Sequence, residues 1–249
     1  MKISAFKHTV KYCTLTAFFY MFLSSTNAVS ETKLTLNTGT AEPFVTADGG
    51  GFYGALVKEL FSRININAKV IPLKAARAIL NVNRGIDDGA IARTKGMEKN
   101  YTNLIRVPEP VVKFKFVAYS LDKKINITDW NSLKPYSVGI IRGWKIYEKK
   151  VVGIKELTKV TDAEQLFKLL LNNRSDLILF EYHRGTWWNK HLNAKAHLIG
   201  SPIVEKDMFI YMHKKHADLI PAITKALIEL KKDGAYQKIK DKYLSAYSK

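Results

Sequence analysis

The chain has 249 residues, 47% of them hydrophobic and 25% charged, with 40 Lys+Arg against 22 Asp+Glu. That length allows one large domain or two smaller lobes with a sizeable core, and an aromatic content of 11% excludes a disordered chain. A single cysteine excludes a disulfide scaffold and the cysteine clusters of structural zinc sites, while the formal charge of +18 raises a nucleic-acid reading on which the N-terminus bears.

Residues 1–28 read as a secretory signal peptide. Lys2, Lys7 and Lys11 form a positive start without an acid, and Tyr12 to Leu23 is a mostly apolar run too short to span a bilayer comfortably. Ser24 to Ala28 is small and polar, which predicts cleavage after Ala28; an uncleaved anchor is the alternative. Val10-Lys11-Tyr12 is no lipoprotein cleavage box, so Cys13 leaves with the leader and residues 29–249 carry no thiol. Losing three lysines and no acids takes the charge from +18 to +15. A periplasmic protein meets little nucleic acid. Its basic surface is either solvated or turned to anionic lipid, cell-wall polymer or an acidic ligand.

In chain order, Leu34-Thr35-Leu36 predicts a first strand ending near Gly39, and Gly49-Gly50-Gly51 a turn. Leu56, Val57, Leu60, Phe61 and Ile64 have helical spacing, predicting a helix over 54–64. Ala68 to Pro72 reads as a strand, 75–82 as a helix stopped near Gly85, and Asp88 to Ala92 as a third strand. Val111 to Ser120 is a long β run. A second series follows: a strand over 136–141, a turn at Arg142-Gly143, a helix starting at Lys145, a helix over 162–171 and a buried-type strand over 176–180. Met208 to Met212 reads as a strand, and 219–230 and 236–244 as helices parted by Asp233-Gly234. The alternation predicts an α/β fold with parallel strands in two lobes, joined through the β runs near 114–120 and 205–212. The expected division is 1–28 signal peptide, 29–118 first lobe, 119–208 second lobe and 209–249 the return to the first. A cleft between lobes is where a ligand is expected.

Several pieces resemble the bacterial extracellular solute-binding proteins of the polar amino-acid uptake type. They are Glu42-Pro43-Phe44, Gly54, Gly85-Ile86-Asp87-Asp88, Val138 to Gly143, Leu169 to Asp176 and the last helix, Gly234 to Leu244. Asp88 to Arg93 and Asn103 to Pro110 mark a divergent subgroup. The resemblance implies the two-lobed type II periplasmic-binding-protein fold with two hinge connections, closing on a small charged solute, amino-acid-like or carboxylate-bearing. It also implies delivery to the permease of an ABC-type transporter or to a sensor. Typical members carry a Thr-x-x-x-Arg-like stretch after the third strand; here Lys95-Gly96-Met97-Glu98-Lys99-Asn100 stands in its place.

Arg93, at the end of the third strand, has the chemistry to hold a carboxylate or phosphate through two parallel hydrogen bonds, or to pair internally with an acid such as Glu109. Arg77 reads as a helix-surface residue or a ligand contact. The resemblance implies that Glu181 receives a ligand ammonium group; the alternative is a helix cap. Gly143 opens a strand–turn–helix start whose N–H groups would attract an anion, and Trp144 would stack on the ligand or simply pack. Glu42, Phe44 and Tyr53 complete the candidate set, the two aromatics as apolar cleft wall or as core.

The sequence has no nucleophile elbow or Gly-rich phosphate loop and only weak metal signatures, so no cofactor or metal is expected and the protein reads as a binder rather than an enzyme; a monomer is expected. His213 and His216 have helical spacing but enclose two lysines that oppose a cation. Asp87 and Asp88, adjacent in an extended segment, point to opposite faces and cannot share a proton. Two alternatives stay open: a periplasmic dehydratase-type enzyme on the same scaffold, with Glu181 as general acid, and a basic envelope-binding module.

Overall fold

A computed structural model describes residues 33–248; the signal-peptide reading of 1–28 lies outside the described residues. Nine strands form one sheet in the order β2-β1-β3-β9-β5-β8-β6-β7, with β4 (Leu104–Arg106) paired to β9 beside this path. No helix among the described residues is long and apolar enough to cross a membrane.

The first lobe is built on β1 (Lys33–Thr38), flanked in parallel by β2 (Asn67–Pro72) and β3 (Gly89–Thr94). Alternation places Leu34 and Leu36 in the core. Helix α1 (Gly51–Ser62) buries Phe52, Tyr53, Leu56, Val57, Leu60 and Phe61, the face its spacing predicts. It starts three residues before the expected Gly54 because that glycine belongs inside the first turn. A Cβ there would lie 2.3 Å from the Gly49 carbonyl oxygen. Helix α2 (Ala75–Asn83) buries Ala78, Ile79 and Val82.

The second lobe repeats the plan with β6 (Ser137–Ile141) between parallel β7 (Glu156–Val160) and β8 (Leu177–Glu181). The predicted helix at Lys145 is a single turn, α3 (Lys145–Glu148). Helix α4 (Ala163–Leu171) is capped by Asp162, whose carboxylate accepts the Gln165 N–H at 2.8 Å. The following α5 (Tyr182–His191) begins directly at the end of β8. Helices α6 (Ile220–Lys232) and α7 (Ala235–Leu244) pack back on α1, with Gly234 at a φ of 81° supplying the left-handed turn between them.

The lobes are joined by β5 (Val112–Ser120) and β9 (His197–His213), antiparallel from Val112↔Met208 to Ser120↔His197. The expected boundaries at 118/119 and 208/209 fall inside these two strands, which serve both lobes. Strand β9 is 17 residues long where sequence pattern predicts only 208–212. Its first part is broken by Gly200 at a φ of 68°, by Pro202 and by the charged run Glu205-Lys206-Asp207, so no alternation marks it.

Asp87 and Asp88 face opposite ways, as their spacing predicts. Asp87 is buried and accepts the Asn37 side-chain amide at 2.7 Å and that of Asn81 at 3.0 Å. Asp88 accepts the Thr35 N–H at 2.9 Å and meets Lys215 and His216, each at 2.8 Å. Both acids are spent on the fold.

Partial burial opposes ionisation of Asp88, but the bonds from Lys215, the Thr35 N–H and His216 outweigh it and hold the carboxyl below its ordinary range. A carboxyl lowered in the folded state contributes stability that is fully present above the unfolded value of about 4 and is lost as pH falls through the folded value. Acid unfolding followed by circular dichroism is therefore expected to set in below about pH 4, with a shallower acid limb in Asp88→Asn; an identical limb would contradict this role.

At Gly185 on α5 an added Cβ would stand 2.3 Å from the Tyr119 ring, whose hydroxyl is tied to the Tyr182 carbonyl at 2.7 Å. Gly185→Ala gains about 1 kcal/mol of helix propensity, whereas overpacking a tethered ring costs about 1–3 kcal/mol or more. A lowered melting temperature is expected; an unchanged or raised one would show that the ring yields.

Candidate functional site

The cleft between the lobes has a volume of about 790 Å³. Arg93 reaches it from the C-terminal end of β3, the Gly143–Ile146 segment from the end of β6, and Arg184 from the first turn of α5. These are the carboxyl ends of parallel strands, where open α/β sheets gather ligand groups. Phe114 and Phe116 of β5, Trp144 and Phe209 give the cleft an aromatic lining.

A bulge aims Arg93. The β3–β9 register shifts between Ala90 and Arg93, and Ala92 takes a φ of 64°, unusual for a residue with a Cβ. Arg93 is half-buried; its Nε and Nη2 are buried without a hydrogen-bond partner. The expected alternative partner, Glu109, is instead held by Lys231. Burial lowers the Arg93 guanidinium to about 10, so it keeps its charge at neutral pH.

The stretch standing where typical relatives carry an arginine has a structural role. Gly96 and Met97 donate their N–H groups to the Tyr211 hydroxyl at 3.1 and 3.3 Å, and that hydroxyl donates to Glu98 at 2.6 Å. This turn sets Lys95 on the cleft edge.

In the second lobe Glu181 is fully buried and does not line the cleft. It caps α5: one carboxylate oxygen accepts the Arg184 N–H at 3.0 Å and the other lies 3.3 Å from His183 Nδ1. Arg184, three residues on, reaches the cleft instead, and the sequence reading missed it. Its guanidinium lies 4.8 Å from the Phe180 ring centre and 5.5 Å from that of Trp144. Burial pulls its pKa down, with Glu181 acting in the opposite sense.

The other candidates divide. Trp144 lines the cleft, braced by Tyr147 in parallel at 5.7 Å and by Phe180 at 5.0 Å. Gly143 also lines it at a φ of 86°, but its N–H already donates to Glu148 at 2.8 Å, and the helix it introduces is one turn long. Phe44 and Tyr53 are fully buried and stacked 5.2 Å apart, and Phe44 supports the cleft-lining Phe114 at 5.1 Å. Glu42 is half-buried and acts on Arg184 only through its field. Arg77 is exposed on α2 and does not line the cleft.

The charged lining is Arg93, Lys95, Lys145, Arg184 and Lys206 against Glu205 and Asp207. Glu205 is engaged by Lys113 at 3.4 Å and Lys145 by Glu148 at 2.8 Å. The cleft therefore presents excess positive charge over an aromatic floor, suited to an anionic solute. A second cavity, of about 520 Å³, is also lysine-lined, but Lys113 and Lys231 there are paired with Glu205 and Glu109. No group of three or more His, Cys, Asp or Glu able to hold a metal occurs among the described residues.

Comparison with known proteins agrees with this architecture. An ancestral arginine-binding protein in its arginine complex superposes with a TM-score of 0.70 at 24% identity, covering 85% of this chain and 97% of that one. A histidine kinase sensor domain with similarity to periplasmic binding proteins gives 0.72 at 14% identity, covering 85% and 96%. An uncharacterised Shewanella oneidensis protein is 24% identical over 185 residues, 70% of this chain and 68% of its own length. With residues 36–246 matching the model of the bacterial extracellular solute-binding proteins, family 3, the chain belongs to that family.

Proposed function

We propose that this solute-binding protein captures a carboxylate-bearing solute in the cleft, with Arg93 as its anchor in the first lobe. The observation that carries this reading is the pair of buried, unpartnered Arg93 nitrogens. A buried donor left unsatisfied costs about 1–3 kcal/mol, more when charged. Such a cost persists in a native fold where a ligand relieves it on binding. A carboxylate meets Nε and Nη2 together through two parallel charge-assisted hydrogen bonds. The aromatic lining then receives the apolar part of the solute.

Binding groups come from both lobes, so a solute that touches both favours the closed form and shifts the population toward it. Release to an inner-membrane permease, or recognition of the closed form by a sensor, completes the role; a transporter component and a sensor domain both occur among proteins of similar fold. Export by a cleaved leader, with the protein working in the periplasm, fits the family's extracellular character. The dehydratase reading takes Glu181 as its general acid, not the cleft-lining Glu205 or Asp207. Glu181, its candidate, is withdrawn into the α5 cap, which favours binding over catalysis.

Calorimetric titration of residues 29–249 with small carboxylates is expected to show saturable binding that Arg93→Ala weakens at least tenfold, or about 1.4 kcal/mol. An unchanged dissociation constant in a folded variant would remove Arg93 from the site.

A further inference from the structure

Arg184 is the second arginine of the cleft, and nothing in the fold uses its charge in full. The ten ion pairs among the described residues include neither Arg93 nor Arg184. Arg184 Nε is buried without a hydrogen-bond partner, as are Nε and Nη2 of Arg93. Glu181, the nearest candidate counter-charge in sequence, has committed its two oxygens to the backbone N–H of Arg184 and to His183. What holds the Arg184 guanidinium in place is aromatic: the faces of Phe180 and Trp144. Such packing fixes direction while leaving the in-plane N–H edge free to bond.

The two arginines come from opposite lobes, Arg93 from β3 and Arg184 from α5, and line one cavity. The buried Tyr53 phenol lies within the electrostatic reach of both. It does not neutralise them, because burial and the field of Glu181 keep it protonated. An ordinary amino acid brings one carboxylate and one ammonium. Its carboxylate would satisfy one arginine and leave the other without an anion, even where a lining acid such as Asp207 received the ammonium.

Resting on the reading of Arg93 as carboxylate anchor, we propose that the physiological ligand is a small dicarboxylate, one carboxylate held by Arg93 and the other by Arg184, so that the ligand bridges the lobes through its two ends. Arg184 is then the residue that sets specificity, and the two-ended contact is what drives closure. A ligand held at one end only would bind the open form nearly as well as the closed form and shift little.

The test is calorimetric titration of residues 29–249 with the straight-chain dicarboxylates from malonate to adipate. The monocarboxylates of matching length and L-arginine complete the set. At least one dicarboxylate is expected to bind at least tenfold tighter than its matching monocarboxylate. Arg184→Gln is expected to erase that preference while keeping the weaker, Arg93-dependent binding of monocarboxylates, and Arg184→Lys to restore part of it. Melting temperatures check folding, since a purely structural Arg184 would change stability and leave the preference intact. Monocarboxylate binding that depends on Arg93, with a preference untouched by Arg184→Gln, overturns this inference and leaves the Arg93 reading standing. Tighter binding of L-arginine than of any dicarboxylate, or no binding across the dicarboxylate series, also overturns it. Binding of any of these ligands that ignores Arg93→Ala overturns the Arg93 reading as well.

Discussion

The pairing of β5 with β9 is the constraint from which the rest of the molecule follows. Each lobe is a small parallel sheet wound with helices, and such sheets end where their carboxyl edges meet an opening. The antiparallel seam from Val112↔Met208 to Ser120↔His197 fuses the two sheets into one. It thereby sets the end of β3 against the end of β6 and the start of α5. The side chains of β5 line the cleft with Phe114 and Phe116, so the joint is also the floor of the site.

Most of the fold was legible in the sequence because most elements carry one clear period. The buried face of α1, the Asp162-capped α4 and the all-buried β8 are examples. Strands β4 and β7 were not legible, being three and five residues long with little alternation. The first half of β9 was hidden for a different reason: its apolar residues Leu198, Ile199, Ile203 and Val204 are interrupted by Gly200 and Pro202 and followed by a charged run, and the segment is held in the sheet by β5.

The site was legible where position along a strand decides it, and obscure where side-chain reach decides it. Arg93 and Trp144 sit at strand ends and line the cleft. Glu181 also sits at a strand end, yet the turn into α5 folds its carboxylate back onto the Arg184 N–H. That same turn carries the Arg184 side chain forward over Phe180 and Trp144. A cap with an arginine three residues on was visible in the sequence, but which of the two would line the cleft depended on the aromatic packing around them. Phe44 and Tyr53, read from the sequence as cleft wall or as core, are buried core residues one layer behind the wall, with Phe114 in front of Phe44.

Buried guanidinium nitrogens without partners occur at both arginines that line the cleft, Arg93 and Arg184, and at Arg106 outside it. The buried Asp87 carboxylate, by contrast, is committed to the side-chain amides of Asn37 and Asn81. The most direct test of the account is a crystal structure of residues 29–249 with a bound dicarboxylate. The account predicts one carboxylate about 3 Å from the Arg93 guanidinium and the other about 3 Å from that of Arg184 across a closed cleft. A ligand seated in the cleft with either arginine turned away from it would contradict the account.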